Sequence, residues 1–147
     1  MMLSRRPAQA GDENFLYALH RAAMQEYIVA TWGLWDELAQ REQFRQCFRP
    51  DEMDIIQVDG QDAGVIHIQE RTEEIFVITL EILPAFQNRG VGTIMIQSVL
   101  REARQRRKPV ALQVLKVNLA ARAFYQRLGF GVTGENDSHY ILAYEVR

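Results

Sequence analysis

At 147 residues, with 48% hydrophobic and 24% charged side chains, the chain (1–147) has the size of one compact domain with a core of its own, and its composition excludes a disordered or repetitive polymer. A net charge of −2, from 17 basic and 19 acidic residues, excludes bulk charge as a route to nucleic acid. Cys47 is the single cysteine, which excludes an internal disulfide and any cysteine-built metal site and suits a reducing compartment. No apolar segment follows Arg5-Arg6-Pro7 and no run approaches the roughly 18 apolar residues of a membrane span, so the expectation is a cytoplasmic protein with no membrane contact. His20, His67 and His139 are scattered without metal-ligand spacing, so no metal is expected.

A short strand is predicted at Leu3 to Arg6. Between residues 11 and 27, Phe15, Leu19, Ala22, Ala23 and Tyr27 recur at helical spacing after Gly11-Asp12, and Leu34, Trp35, Leu38, Phe44 and Phe48 suggest a second helix ended by Pro50-Asp51. Ile55 to Val58 and Val65 to Ile68 flank Asp59-Gly60-Gln61-Asp62, where Asp-Gly supplies the positive φ of a tight hairpin. The nearly continuous apolar run from Ile75 to Leu83 predicts a central strand covered on both faces and stopped by Pro84.

From Gly90 to about Arg107, Val91, Ile94, Met95, Ser98, Val99 and Ala103 mark an amphipathic helix, and a strand follows at Val110 to Leu115. Strand, helix, strand implies a parallel crossover. Asn118 is a good N-cap for a helix carrying Ala121, Phe124, Tyr125 and Leu128, with Gly129 as the residue that ends it. Strands at Phe130 to Val132 and His139 to Val146 close the sheet. The basic stretch Arg101, Arg104, Arg106, Arg107 and Lys108 lies at a helix C-terminus, where cations complement the dipole, and reads as a solvated face rather than a nucleic-acid contact.

Gln87-Asn88-Arg89-Gly90-Val91-Gly92-Thr93 joins the central strand to the following helix. Such a turn gathers free backbone N–H groups where about half a positive charge accumulates, and it suits a pyrophosphate. The alternative is a strand-to-helix turn in which glycine only relieves crowding. A Walker loop is excluded because Thr93-Ile94 follows Gly92. A dinucleotide fingerprint is excluded because Met95 stands where a third small residue belongs and no acid follows on the strand Val110 to Leu115.

Gln87-Asn88-Arg89-Gly90-Val91-Gly92 resembles the Gln/Arg-x-x-Gly-x-Gly/Ala signature of the GNAT (GCN5-related) N-acetyltransferases. Leu112-Gln113-Val114 through Asn118-x-x-Ala121-x-x-Phe124-Tyr125-x-x-x-Gly129-Phe130 is similar to the same family's second motif. The resemblance implies an α+β fold of three layers, with a mixed, centrally splayed sheet flanked by about four helices. It implies acetyl-CoA as cosubstrate, its pantetheine arm beside the backbone of Ile82 and Leu83 and its pyrophosphate on residues 87 to 93. Asn118 and Phe124 fall at positions that help to hold the cofactor, and Tyr125 at the position whose phenol lies beside the thioester sulfur.

Acetyl transfer to an amine needs a neutral nitrogen, a stabilised oxyanion and a proton for the departing thiolate. Deprotonating an amine of pKa about 10.4 at pH 7 costs roughly 4.6 kcal/mol, so a base or a water relay is useful. A tyrosine of pKa about 10 is still protonated at neutral pH, so Tyr125 can act as the donor, its alternative being a core aromatic that completes the Ala121, Phe124 and Leu128 stripe. Glu81 is the first candidate base, as a carboxylate on a largely apolar strand, with a salt bridge as its alternative fate and Glu74, His139 or water as other bases. Gln113 occupies the position where some relatives carry a catalytic glutamate, and it cannot act as a base. Trp32, Trp35 and His139 are candidates to line an acceptor pocket, while Asp36 and Glu37 can attract a cationic amine. The leading reading is acetylation of a small-molecule primary amine by direct attack. A peptide or protein acceptor, a non-catalytic acyl-CoA sensor and a homodimer stay open at this point.

Overall fold

A computed structural model describes residues 1–146. Its elements are β1 (Leu3–Pro7), α1 (Glu13–Trp32), α2 (Glu37–Cys47), β2 (Met53–Val58), β3 (Gln61–Glu70), β4 (Ile75–Ile82), α3 (Val91–Arg106), β5 (Val110–Leu115), α4 (Leu119–Arg127), β6 (Gly131–Glu135) and β7 (His139–Tyr144). Among the described residues the seven strands run in the order β1-β2-β3-β4-β5-β7-β6. The β4–β5 pair is parallel, as a helical crossover demands, and the pairs β1–β2, β2–β3, β5–β7 and β6–β7 are antiparallel. This is the mixed α+β architecture with four helices that the resemblance implies. The chain forms two compact units, Met1–His67 with Thr79–Val91, and Ile68–Ile78 with Gly92 onward.

In the first unit, Asp59 and Gly60 take φ of 50° and 81°, and this two-residue turn sets Val58 opposite Gln61. Ala8, Leu16, Leu19, Met53, Ile55 and Val65 form the core, with Phe15, Phe44, Phe48 and Leu83 packed against it. The buried face of α1 is Leu16, Tyr17, Leu19 and Ile28, which corrects the expected stripe: Leu16 and Ile28 are buried where half-buried Phe15 and Tyr27 were expected, and Ala22 is exposed. The helix also runs past Tyr27 to Trp32 and stops at Gly33, whose φ of 93° lets its N–H reach the Val29 carbonyl at 2.8 Å. Leu34 and Trp35 precede α2 rather than belonging to it, since Asp36 caps the helix by accepting from the Ala39 N–H at 3.1 Å. Buried His67 meets Glu52 with Nε2 2.8 Å from Oε1, a satisfied strand histidine.

The β2–β3 register slips between Ile56 and Gln57, so that Ile56 faces Gly64 and Gln57 faces Asp62. The extra residue, Ala63, is fully buried, and its carbonyl accepts the Leu83 N–H at 2.8 Å. Gly64 was not singled out by its sequence, yet a Cβ there would lie 2.5 Å from the carbonyl oxygen of Glu81 and 2.9 Å from Ile82 Cδ1.

In the second unit, Ile75, Phe76 and Val77 pair with Val110, Ala111 and Leu112. The central strand is not covered on both faces as expected, for Ile78 is 40% exposed although Ile75 and Val77 are buried. In α3 the buried positions include Ile96 and Leu100, while Ile94 is exposed, which shifts the expected stripe. Two cations of the basic helix end are paired: Arg106 with Glu70 and Glu102, and Lys108 with Glu70 at 3.1 Å and the Arg71 carbonyl at 2.8 Å. β7 pairs with β5 over six residues and carries β6 on its other side; these last two strands are Gly131–Glu135 and His139–Tyr144 rather than the limits expected.

Candidate functional site

Glu81 is buried near the end of β4, and an unpaired carboxylate there would lose its hydration without compensation. Its Oε2 lies 2.8 Å from Nδ1 of His20 on α1, so the salt bridge weighed as one fate of this side chain is present. Burial opposes the charged imidazole, but the hydrogen bond and negative charge of Glu81 outweigh it and leave the His20 pKa raised. The side chains differ in reach: His20 is 26% exposed and Glu81 8%. Sequence reasoning missed His20, because a helical histidine beside apolar neighbours carries no trace of a partner 61 residues away.

Two aromatic rings stand beside the histidine. Its ring centroid lies 6.2 Å from Trp35 and 5.8 Å from Phe44, and Tyr17 sits 6.4 Å from Trp35 and 5.5 Å from Phe44. Trp35 Nε1 donates to Glu37 Oε2 at 2.8 Å, and Glu37 also pairs with Arg21. The Trp35 bond is the main cause of the lowered Glu37 pKa. Trp35 therefore belongs to the wall around His20. Trp32, the last residue of α1, is 56% exposed.

Beyond Glu81 the backbone folds its polar groups inward. The Leu83 N–H donates to Ala63, the Leu83 carbonyl accepts from the Phe86 N–H at 2.9 Å, and Gln87 Nε2 donates to the Ile82 carbonyl at 2.9 Å. The side chain of Gln87, a candidate cofactor contact, thereby ties the turn to the end of β4. Asn88 and Gly90 then adopt φ of 63° and 80°, left-handed conformations that turn successive amides and fit an anion. A Cβ on Gly90 would meet nothing within 4 Å, so conformation rather than crowding calls for glycine there. Arg89 is exposed with its guanidinium 5.5 Å from the Phe86 ring centroid, and Val91 opens α3. Gly92 and Thr93 follow in the first turn of that helix.

In the second unit Asn118 caps α4, its Oδ1 accepting the Ala121 N–H at 3.1 Å and leaving the amide donors for other use. Tyr125 is buried, with its ring edge-on to Phe124 at 5.0 Å and to Phe130 at 5.5 Å. Gly129 ends this segment at φ 102°, where a Cβ would lie 2.9 Å from the Tyr144 ring. His139 has Nδ1 2.7 Å from Ser138 Oγ, and burial lowers its pKa. Glu74 pairs with Arg71 at 3.4 Å. Among the described residues no group of three or more His, Cys, Asp or Glu converges as a metal site would, and no helix is long and apolar enough to cross a membrane.

A family model described as the acetyltransferase (GNAT) family matches residues 16–130. The 5-NmdU N-acetyltransferase of Pseudomonas phage PaMx11 is 35% identical over 80 residues, 53% of this chain and 56% of that protein, so the match spans about half the length of this curated relative. The PaiA N-acetyltransferase from Thermoplasma acidophilum, solved in complex with coenzyme A, is similar with a TM-score of 0.79 at 16% identity over 99% of both chains. The ribosomal-protein-S18-alanine N-acetyltransferase from Escherichia coli is similar with a TM-score of 0.73 at 18% identity, over 99% of this chain and 94% of that one. At such identities the structural likeness shows the fold.

Proposed function

Because the chain belongs to the acetyltransferase (GNAT) family, we propose that it is an acetyl-CoA-dependent N-acetyltransferase whose acceptor is the primary amine of a small molecule. The observation that carries this reading is the turn at Asn88 and Gly90, where two left-handed residues lead into α3. Open space at Gly90 and exposed residues from Asn88 to Gly90 fit a diphosphate held by backbone amides, with Arg89 adding charge and Thr93 a hydroxyl. Acetyl-CoA supplies the acetyl thioester. Backbone near Ile82 and Leu83 would flank its pantetheine, and Asn118 and Phe124 would help to hold it.

On the reacting side, Tyr125 is assigned to donate a proton to the departing thiolate, and Glu81 to anchor the base that takes a proton from the amine. Trp35, Phe44 and Tyr17 give an amine an apolar wall beside negative charge from Glu81 and Glu37, and a cation is attracted to both. The small-molecule acceptor is favoured because the relative at 35% identity is named for 5-NmdU, whereas the protein-directed neighbour is 18% identical. Exposed, lone Cys47 fits a reducing, cytoplasmic setting.

Calorimetric titration with coenzyme A, followed by acetyl-CoA turnover with 5-NmdU, alkyl amines, diamines, lysine and short peptides, tests the reading. Thiol release that depends on one small amine supports it. Release only with peptides reassigns the acceptor, binding without release with any amine points to a sensor, and no coenzyme A binding removes the transferase reading altogether.

A further inference from the structure

We propose that the atom which takes the proton from the acceptor amine is Nε2 of His20, with Glu81 as the positioning residue behind it. This rests on the transferase reading above and revises which atom does the work. Glu81 spends Oε2 on the His20 Nδ1 contact at 2.8 Å and is almost fully enclosed, so its carboxylate is poorly placed to meet an incoming ammonium. His20 is the more exposed partner, and no hydrogen bond engages its Nε2 among the described residues. With Nδ1–H donated to Glu81, the neutral tautomer leaves Nε2 as the lone-pair nitrogen. The Trp35 and Phe44 rings, 6.2 and 5.8 Å away, restrain its orientation, as a base that must meet one nitrogen requires.

The protons balance. An ammonium nitrogen loses two across the reaction as an N–C bond forms and the C–S bond breaks. The first passes to Nε2, giving an imidazolium stabilised by Glu81, and is later released to solvent. The second replaces, by way of solvent, the one that Tyr125 hands to the thiolate. The charged groups of this cluster are Glu81 from β4 at the imidazole itself and, on the Trp35 and Tyr17 rings, Glu37 and Arg41 from α2, with Arg21 from α1 paired to Glu37. Of these Glu81 alone bonds the ring: Glu37 is tied to Trp35 and Arg21, and Arg41 lies 4.5 Å from the Tyr17 ring centroid. The raised His20 pKa agrees with that environment.

The test is the pH dependence of kcat/KM for wild type, His20→Gln, His20→Ala and Glu81→Gln, with the best amine from the acceptor panel, alongside NMR titration of the His20 ring in the ligand-free protein. In wild type the acidic limb should coincide with the NMR midpoint, above the ordinary histidine value of about 6.5. In Glu81→Gln both should move down in pH together, and both His20 variants should lose about a hundredfold in kcat/KM together with that limb. Added imidazole should restore part of the His20→Ala activity, which a purely structural defect would not allow. An unchanged acidic limb in His20→Gln, or loss in His20→Ala without imidazole rescue while His20→Gln stays active, overturns the assignment. Wild type that turns over no amine defeats the transferase reading itself, an outcome distinct from a working enzyme indifferent to His20.

Discussion

The Cα of Gly64 stands so close to β4 that a methyl group on it would lie 2.5 Å from the carbonyl oxygen of Glu81. The contact is with backbone, which cannot swing aside as a side chain can, and the Ile82 Cα would be 3.3 Å away as well. This closeness begins at the β2–β3 irregularity beside Ala63 and ends at the one buried carboxylate of the first unit, so a structural glycine and a chemical residue share one constraint.

Gly64→Ala should therefore destabilise the protein by about 1–3 kcal/mol, the ordinary cost of forcing extra volume into packed structure. Urea denaturation measures this. Because the strain falls on the strand that presents Glu81, the His20 NMR midpoint should move as well. A variant as stable as wild type with an unmoved His20 would show that the two strands separate easily.

The His20–Glu81 pair predicts how stability varies with pH. His20 binds its proton more tightly when folded than unfolded, so its contribution is complete below the unfolded value of about 6.5 and fades as the pH rises through the raised folded value. The carboxylates of Asp12 and Asp62, lowered chiefly by hydrogen bonds from Arg6, act in the opposite direction and need a difference measurement to be removed. The stability gap between wild type and His20→Gln should accordingly be larger near pH 6 than near pH 9. Equal gaps in urea melts at the two pH values would contradict the raised pKa.

What the sequence made legible was what depends on neighbours along the chain. Asp59-Gly60 announced its turn because two adjacent residues must take positive φ, and Asn118 and Gly129 marked the ends of α4 because a cap and a stop are local devices. Glu81 stood out as a carboxylate in an apolar strand, but its partner His20 did not, since a separation of 61 positions along the chain leaves no periodic signature. Gly64 escaped notice for the same reason: what makes it necessary is another strand's carbonyl. The expected double cover of β4 failed at Ile78 because apolar composition reports what a strand can bury, and packing decides what it does bury.

Gly90 offers a probe of the proposed diphosphate turn that leaves the catalytic side chains alone. At φ 80° an alanine pays of order 1 kcal/mol in backbone strain, yet it meets no neighbour within 4 Å. Relaxation of that strain turns the amides around residue 90 away from the orientation an anion needs. Gly90→Ala should lose about tenfold in coenzyme A affinity by calorimetry for a stability loss near 1 kcal/mol. Unchanged affinity would mean that the diphosphate is held elsewhere.

Tyr125 is wrapped edge-on by Phe124 and Phe130, so removing its hydroxyl keeps the ring contacts and isolates the proton. If the phenol protonates the thiolate, Tyr125→Phe should reduce kcat by about a hundredfold near pH 7 with coenzyme A affinity within a few-fold of wild type. Equal turnover at pH 7 would remove the hydroxyl from the chemistry.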